Sequence, residues 1–184
     1  KCRYSLYCHD YKFVAHTNPA VYTNFAVPPN ELINVSFHKD ACRIICQTQF
    51  QKDIYDLNLK FPDKTTNFSG NLWSEEHLNR LGSLEKVEKN DKHAIIDSEY
   101  PQKGVKESVH YCKENKLEYD IIGDPDYSKF LEILSLYSTL VFHPSTPETC
   151  CRIILEAKMM GLKTITNNLI GASYENWYDL NGKE

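Results

Sequence analysis

Thr139–Thr166, TLVFHPSTPETCCRIILEAKMMGLKTIT, decides how the rest of the chain is read. Thr139 to Phe142 is a short apolar run of strand formers. His143-Pro144-Ser145-Thr146-Pro147 continues neither strand nor helix, because its two prolines fix φ and restrict the residues before them. Ile153, Ile154, Ala157 and Met160 then recur at helical spacing, and Gly161 supplies a glycine stop. Leu162 to Thr166 returns to a strand pattern. A helix between two strands is a crossover unit, and ligands of such sheets gather at the carboxyl ends of the strands. The loop from His143 to Thr149 is therefore the expected place of chemistry. It holds one carboxylate, Glu148, placed by this reading where loop becomes helix; a second, Glu156, follows eight residues later.

Outward from that unit, the second half alternates strand and helix. Strands are expected at 93–97, 119–122, 139–142 and 162–166. Helices are expected at about 105–115, from an Asp126 cap to about Tyr137, and again over 174–180. This order predicts an α/β fold with a Rossmann-like parallel sheet. The polar run EKVEKNDK, 85–92, marks the boundary between two parts, 1–84 and 85–184. In the first part, 4–8 and 11–15 read as strand ends around His9-Asp10, and HTNPAVYTNFAVPPN reads as loop. Residues 34–40 read as a short helix or turn, and ACRIICQ, 41–47, as a buried strand. Thr48 then caps a helix over about 49–58 with Gln51 at the capping-box position. Residues 65–69 form a further strand, and Ser74 caps a helix with Glu75 and Glu76 in its first turn.

The chain has 184 residues, 41% hydrophobic and 25% charged, enough for a core of ordinary soluble character. Its net charge of −4 makes no electrostatic case for nucleic acid. No apolar run approaches the roughly 20 residues that span a bilayer. Seven cysteines without paired metal spacing read as reduced thiols of a cytosolic protein. No HExxH, GxGxxG, Walker loop, CxxC or GxSxG occurs. That argues against metalloprotease, dinucleotide, NTPase, redox and esterase chemistry.

Several residues have both an active and a plain reading. Helix-start amides beside Glu148 suit an anion or polar ligand oxygens. Eight helical steps would put Glu156 about 12 Å further on, too far for two acids on one bond but suited to two ends of an elongated ligand. A cap at Glu148 and a salt-bridged Glu156 is the alternative. Lys103, before Gly104, can neutralise a phosphate or simply be a solvated turn lysine. Gly171-Ala172-Ser173 can cradle a phosphate or form an ordinary turn. His143 and Thr149 sit in the same loop as Glu148, with His143 placed to touch a ligand. Arg152 is a candidate cation or a surface residue.

PSTPETCCRIILEAKMMGLKTIT resembles the donor-binding segment of retaining glycosyltransferases of the GT-B type, the large group-1 (family 4) class. Glu148 and Glu156 match that family's two acids, Ala157 its alanine and Gly161 its glycine. Gly171-Ala172 resembles the later glycine-rich donor loop, with Glu175 at its acidic position. Lys103-Gly104 resembles the Lys-Gly that follows the domain's first strand. CRIICQTQFQKDIY resembles the last strand and helix of the preceding domain, and Asn71-Leu72 the Asn-Gly that ends it. The chain departs from the family at Asp97 and Ser98, where Gly-Arg is usual. It also departs at Cys150-Cys151, in place of Phe-Gly, and at Lys163, in place of a common proline.

The resemblance implies a donor domain over 85–184 and, in 1–84, the end of the acceptor-side domain. The chain is thus expected to be an excerpt of a two-domain enzyme. It implies transfer of a hexosyl group, with retention, from an NDP-sugar (UDP- or GDP-linked) to a glycan, lipid or other acceptor, as in cell-envelope polysaccharide synthesis. The implied catalytic residues are Glu148, toward the donor sugar, and Lys103, toward the diphosphate. The implied donor-binding residues are Glu156, at the ribose, with Gly171, Ala172, Lys103, His143 and Thr149. No cofactor or metal is implied. A cytoplasmic protein is implied, with peripheral membrane contact through regions outside this sequence. Two other readings stay open: a non-catalytic nucleotide-sugar-binding relative, and an α/β module using the same cleft for a phosphorylated metabolite or a protein partner.

Overall fold

The structure is a computed structural model that describes residues 3–180. The chain divides into two compact units. Unit 1 holds the chain up to Asn71 together with Thr146–Cys150 and Ile170–Tyr178. Unit 2 holds Leu72–Ser145 and Cys151–Leu169, and the chain from Asp179. The division falls between Asn71 and Leu72, so the polar run 85–92 lies inside unit 2. The helix Glu75–Leu84 packs on the helix Arg152–Met159, which ties it to unit 2.

Unit 1 is built on a parallel sheet of β1 (Ser5–Cys8), β2 (Arg43–Cys46) and β3 (Thr65–Asn67), in that spatial order. All three carboxyl ends share one edge. Its helices are α1 (Val35–Asp40) and α2 (Gln49–Leu59). Thr48 caps α2 by accepting from Gln51 N at 3.3 Å. The Gln51 side chain does not close a capping box on Thr48. It accepts from Gln47 N at 2.7 Å and donates to the Cys8 carbonyl at 3.1 Å, fastening α2 to β1. The apolar run 11–15 is not a strand. It turns twice, with Val14 N donating to Tyr11 O and Thr17 N to Val14 O, and keeps one antiparallel bridge, Val14 to Leu32. Tyr11, Phe13 and Val14 are nonetheless buried, with Phe13 edge-on to Tyr55 at 4.9 Å. Burial here is achieved by a loop folded over the core, which local alternation does not distinguish from a strand.

Unit 2 has β4 (Asn90–Ile96), β5 (Tyr119–Ile122), β6 (Tyr137–Phe142) and β7 (Lys163–Thr166), all parallel, in spatial order β5-β4-β6-β7. Its helices are α3 (Glu75–Leu84), α4 (Val105–Glu114), α5 (Tyr127–Ser135) and α6 (Arg152–Met159). β4 begins three residues earlier than its apolar stretch, because Asn90 N reaches Leu136 O at 2.8 Å and pairing needs only backbone. Two caps match their sequence signals: Ser74 accepts from His77 N, and Asp126 from Ser128 N and Lys129 N. Gly161, at φ +78, follows the end of α6. Leu131, Leu134, Leu140, Ile154 and Met160 are fully buried, and Ile95, Cys112 and Val141 form a hydrophobic cluster.

Two further expectations differ. Residues 174–180 do not form a helix; a 3-10 turn at Gly171–Tyr174 is followed by turns. Glu148 is not at a helix start, since α6 begins at Arg152 after Cys151. Cys151 stands at φ +62, a left-handed conformation that suits glycine better. Among the described residues, Cys8, Cys42, Cys46, Cys112, Cys150 and Cys151 form no disulfide; Cys2 lies outside them. No described helix is long and apolar enough to cross a membrane.

Candidate functional site

The sheet of unit 2 has a topological switch point. After β4 the chain first adds β5 on one side and later β6 on the other. The loops leaving β4 and β6 therefore diverge from neighbouring strands, the arrangement that opens a ligand crevice at the carboxyl edge of parallel sheets. The first loop ends in a 3-10 turn, Pro101–Lys103, then Gly104 at φ +65, which opens α4. A Cβ on Gly104 would lie 1.7 Å from the His143 carbonyl oxygen, so only glycine permits this approach. Two hydrogen bonds join the loop after β6 to the turn and helix after β4, and a third braces that helix start. Ser145 N donates to Gln102 O at 3.0 Å, and His143 N to Ser108 Oγ at 3.1 Å. Ser108 Oγ in turn donates to Gly104 O at 2.9 Å. The half-buried Lys103 thus stands on a braced turn at the positive end of a ten-residue helix.

His143 packs its ring edge-on to Tyr111 at 4.8 Å. Burial lowers its pKa below the usual imidazole value, partly offset by Glu107, so the neutral ring is favoured. Asn167 Nδ2 holds the same loop by donating to Pro144 O at 2.7 Å. Asp97 and Ser98 follow β4 directly, and Asp97 Cβ lies 3.1 Å from where a Cβ on Gly123 would be. A positive helix end, a lysine and a neutral imidazole on rigid loops can together receive a phosphorylated ligand.

Glu156, also in unit 2, has no solvent exposure. Trp73 Nε1 donates to its Oε1 at 2.8 Å, the His77 Nε2 lies 3.0 Å from the same oxygen and Arg152 Nη2 lies 3.3 Å from it. The Tyr127 hydroxyl donates to Oε2. The Arg152 guanidinium also sits over the Trp73 ring, 5.4 Å from its centroid. Burial, and then the bond to Glu156, push the Tyr127 phenol well up, so it stays a neutral donor. The carboxylate is satisfied by α3, the first residue of α5 and its own helix. Arg152 stands four residues before Glu156 on α6, but Trp73, His77 and Tyr127 reach it only when the helices pack.

The remaining expected residues lie in unit 1. The Glu148 carbonyl accepts from Gly171 N at 2.8 Å, and Glu148 forms a parallel bridge with Ile170. A Cβ on Gly171 would fall 2.1 Å from Thr149 O, so this glycine serves a close backbone approach, and its amide is already taken. Ala172 is fully buried beside it. Thr149 Oγ1 lies 3.0 Å from His9 O and 2.6 Å from Gln47 Oε1, while its carbonyl accepts from Thr48 Oγ1 at 2.6 Å. Glu175 Oε1 accepts from Gln49 N at 2.6 Å and Asn67 Nδ2 at 3.0 Å, and its Oε2 from Ser69 Oγ at 2.6 Å. Glu148, Thr149, Gly171 and Ala172 are therefore gathered in unit 1, at loops that meet the carboxyl edge of its sheet. Lys103 and His143 are gathered in unit 2, and Glu156 sits in its own cluster there. The helical spacing assumed between Glu148 and Glu156 does not apply, because 148–151 is not helical.

No protein-family model matches the chain, and no curated protein matches it. Solved structures do. The Anabaena protein HepE in complex with UDP and glucose matches 93% of this chain at a TM-score of 0.54 and 14% identity. The same protein with UDP-glucose matches 93% at 0.52 and 15%. WaaG, a glycosyltransferase involved in lipopolysaccharide biosynthesis, matches 92% at 0.57 and 12%. The chain spans 54%, 55% and 58% of those three chains, respectively, a little over half their length. At such identities the likeness is one of fold: this chain has the Rossmann-like α/β architecture of these solved structures.

Proposed function

We propose that the chain is part of a retaining glycosyltransferase of the group-1 class, moving a hexosyl group from a UDP- or GDP-sugar to a glycan or lipid-linked acceptor. The observation that carries this reading is the braced switch point of unit 2, where Lys103 and the start of α4 stand beside the His143 loop. A leaving diphosphate there would meet a lysine and a helix's positive end, fixed before the reaction and needing little reorganisation. The neutral His143 ring would offer a hydrogen bond rather than a second charge. Glu148, in unit 1, keeps the role toward the donor sugar, and Thr149 the donor-binding role, that the resemblance gives them. The Gly171 amide does not act as a phosphate donor in this scheme, since Glu148 O holds it. No step requires a metal ion. Cell-envelope polysaccharide synthesis, at the cytoplasmic face of a membrane, is the setting this chemistry suits.

Titration calorimetry with UDP, GDP and their glucose and mannose derivatives tests the reading. Binding is expected, and K103A should weaken it about 10- to 100-fold, the usual worth of a charge-assisted hydrogen bond. A folded protein that binds no nucleoside diphosphate would refute it. One observation favours a second reading, a non-catalytic relative that binds the donor. Glu156, the acid expected at the ribose, has both oxygens engaged by the protein, and Asp97-Ser98 stands where the family carries a cation. Donor binding without hydrolysis or transfer to any glycan acceptor would select that reading.

A further inference from the structure

β5 is the terminal strand of the unit-2 sheet, beside β4. His93 N donates to Glu118 O at 2.9 Å and Asp97 N to Ile122 O at 2.7 Å. The even-numbered residues of β5 therefore turn their backbone groups toward β4, and Tyr119 and Ile121 turn theirs outward. Among the described residues, no strand pairs with that side. The register sets Ile95 between Ile121 and Val141, so these three side chains share the face on which Cys112 of α4 packs. α4 reaches over β4 and β6, and Tyr119 packs against the Ile95 cluster, while Ile121 is left 50% exposed.

Natural sheets usually blunt a free edge with a charge, a proline or a bulge. The other edge of this sheet does so, since β7 opens on the exposed Lys163. β5 pairs with β4 without a bulge, and its own charge is engaged. Asp120 Oδ2 lies 3.2 Å from Lys92 Nζ and accepts from the Tyr137 hydroxyl at 3.1 Å. The edge is also self-complementary. A two-fold axis through Asp120 sets Tyr119 opposite Ile121 of an antiparallel second copy, and Ile121 opposite its Tyr119. Each such pair exchanges both backbone hydrogen bonds and joins an aromatic to a β-branched side chain. The same register brings the exposed Lys116, just before the strand, opposite Asp124 of the second copy, just after it. The two Asp120 carboxylates meet on the other face, each with its own Lys92. An axis through Ile121 would instead set Glu118 against Asp124, so charge selects the first register.

We propose that β5 is a self-association edge, through which a second copy of this chain joins its unit-2 sheet to the first. The strand has four residues and buries less than the roughly 1,000 Å² of a permanent interface, so the dimer forms reversibly and at high protein concentration. Because the two copies run antiparallel, the carboxyl edges of their sheets face opposite ways. The proposal does not depend on the glycosyltransferase reading.

The test is sedimentation equilibrium of the whole 184-residue chain in reducing buffer, from micromolar to millimolar concentration. A monomer–dimer equilibrium is expected. I121K, at an exposed position, should raise the dimer dissociation constant about tenfold or more with an unchanged thermal midpoint. Cross-linking reads the register. Asp120 faces its own copy across the axis as a non-hydrogen-bonded pair, with Cα atoms about 4.5 Å apart and within reach of a disulfide. With oxidised glutathione, D120C should give a disulfide dimer faster than E118C and faster than the parent, whose exposed Cys42 is the control. The proposal is overturned by a monomer at every concentration, by an I121K dimer as tight as the parent's, or by equal cross-linking of D120C and E118C. In the first case the edge is left for a strand of another protein.

Discussion

Glu156 and Glu175 are both acids that the protein surrounds with donors, yet they are held by different means. Glu175, in unit 1, takes a backbone amide at the first turn of α2 and two neutral side chains, Asn67 and Ser69. Its charge meets a helix's positive end and a partly solvated loop. Glu156, in unit 2, is fully enclosed and is met by an arginine, an imidazole and a phenol from three helices and by the Trp73 indole just before α3. A half-exposed acid can lose a partner to water. An enclosed one cannot, so the Glu156 carboxylate depends wholly on its protein donors, and removing it should cost more.

The largest effect should come from E156A, which leaves the Trp73, Tyr127 and Arg152 donors without their acceptor. A loss of about 3–5 kcal/mol in urea unfolding is expected. A loss under about 1 kcal/mol would mean that the cluster does not act as a clasp. Next is the contrast between the two close-approach glycines. G104A puts a methyl group 1.7 Å from a carbonyl at a left-handed φ, and G171A puts one 2.1 Å from a carbonyl. About 3–4 kcal/mol for the first and 2–3 kcal/mol for the second are expected by thermal melting. Equal costs would show that backbone relaxation, not φ, decides. E175Q should cost only about 1–2 kcal/mol in the same assay.

The smallest effect is a pH slope. Burial depresses the His143 pKa, so the unfolded chain takes up a proton there before the folded one does. Its contribution is fully present above the unfolded value of about 6.5 and is lost as pH falls from there through the folded value. H143N should flatten stability across that window. An unchanged slope would place the titrating group elsewhere.

The sequence announced what is local. Thr48, Ser74 and Asp126 cap helices because their side chains and the amides they serve are two or three residues apart. Gly161 ends α6 for an equally local reason. The parallel order followed from alternating strand and helix. Cys151 keeps a left-handed turn without the glycine that makes it cheap. What was not legible depends on distant packing. The run 11–15 has strand-like residues but folds as turns, because the interior of unit 1 needs its aromatics more than another strand. The loops of Lys103 and His143 leave the same edge of the sheet, as the alternation of strand and helix implies, yet Ser108, which bonds to the His143 amide, carries no signal of its own. Of the Glu156 partners, Arg152 follows the i, i+4 helix spacing, but no spacing rule leads to positions 73, 77 and 127.

The membership of Thr146–Cys150 and Ile170–Tyr178 in unit 1 has a consequence for how the molecule is made. The bond from Thr48 to Thr149 spans 101 residues, and those of Glu175 to Gln49, Asn67 and Ser69 span 126, 108 and 106. During synthesis the first sheet can pair early, but these contacts wait until Thr149 and Glu175 have left the ribosome. Until then the carboxyl edge of that sheet is open, and the end of α2 lacks its acid. The early product is then a partly finished unit whose completion is paced by a long closure, a slow kind of step. Cutting the chain at Asn71 would leave a first piece that lacks these two segments.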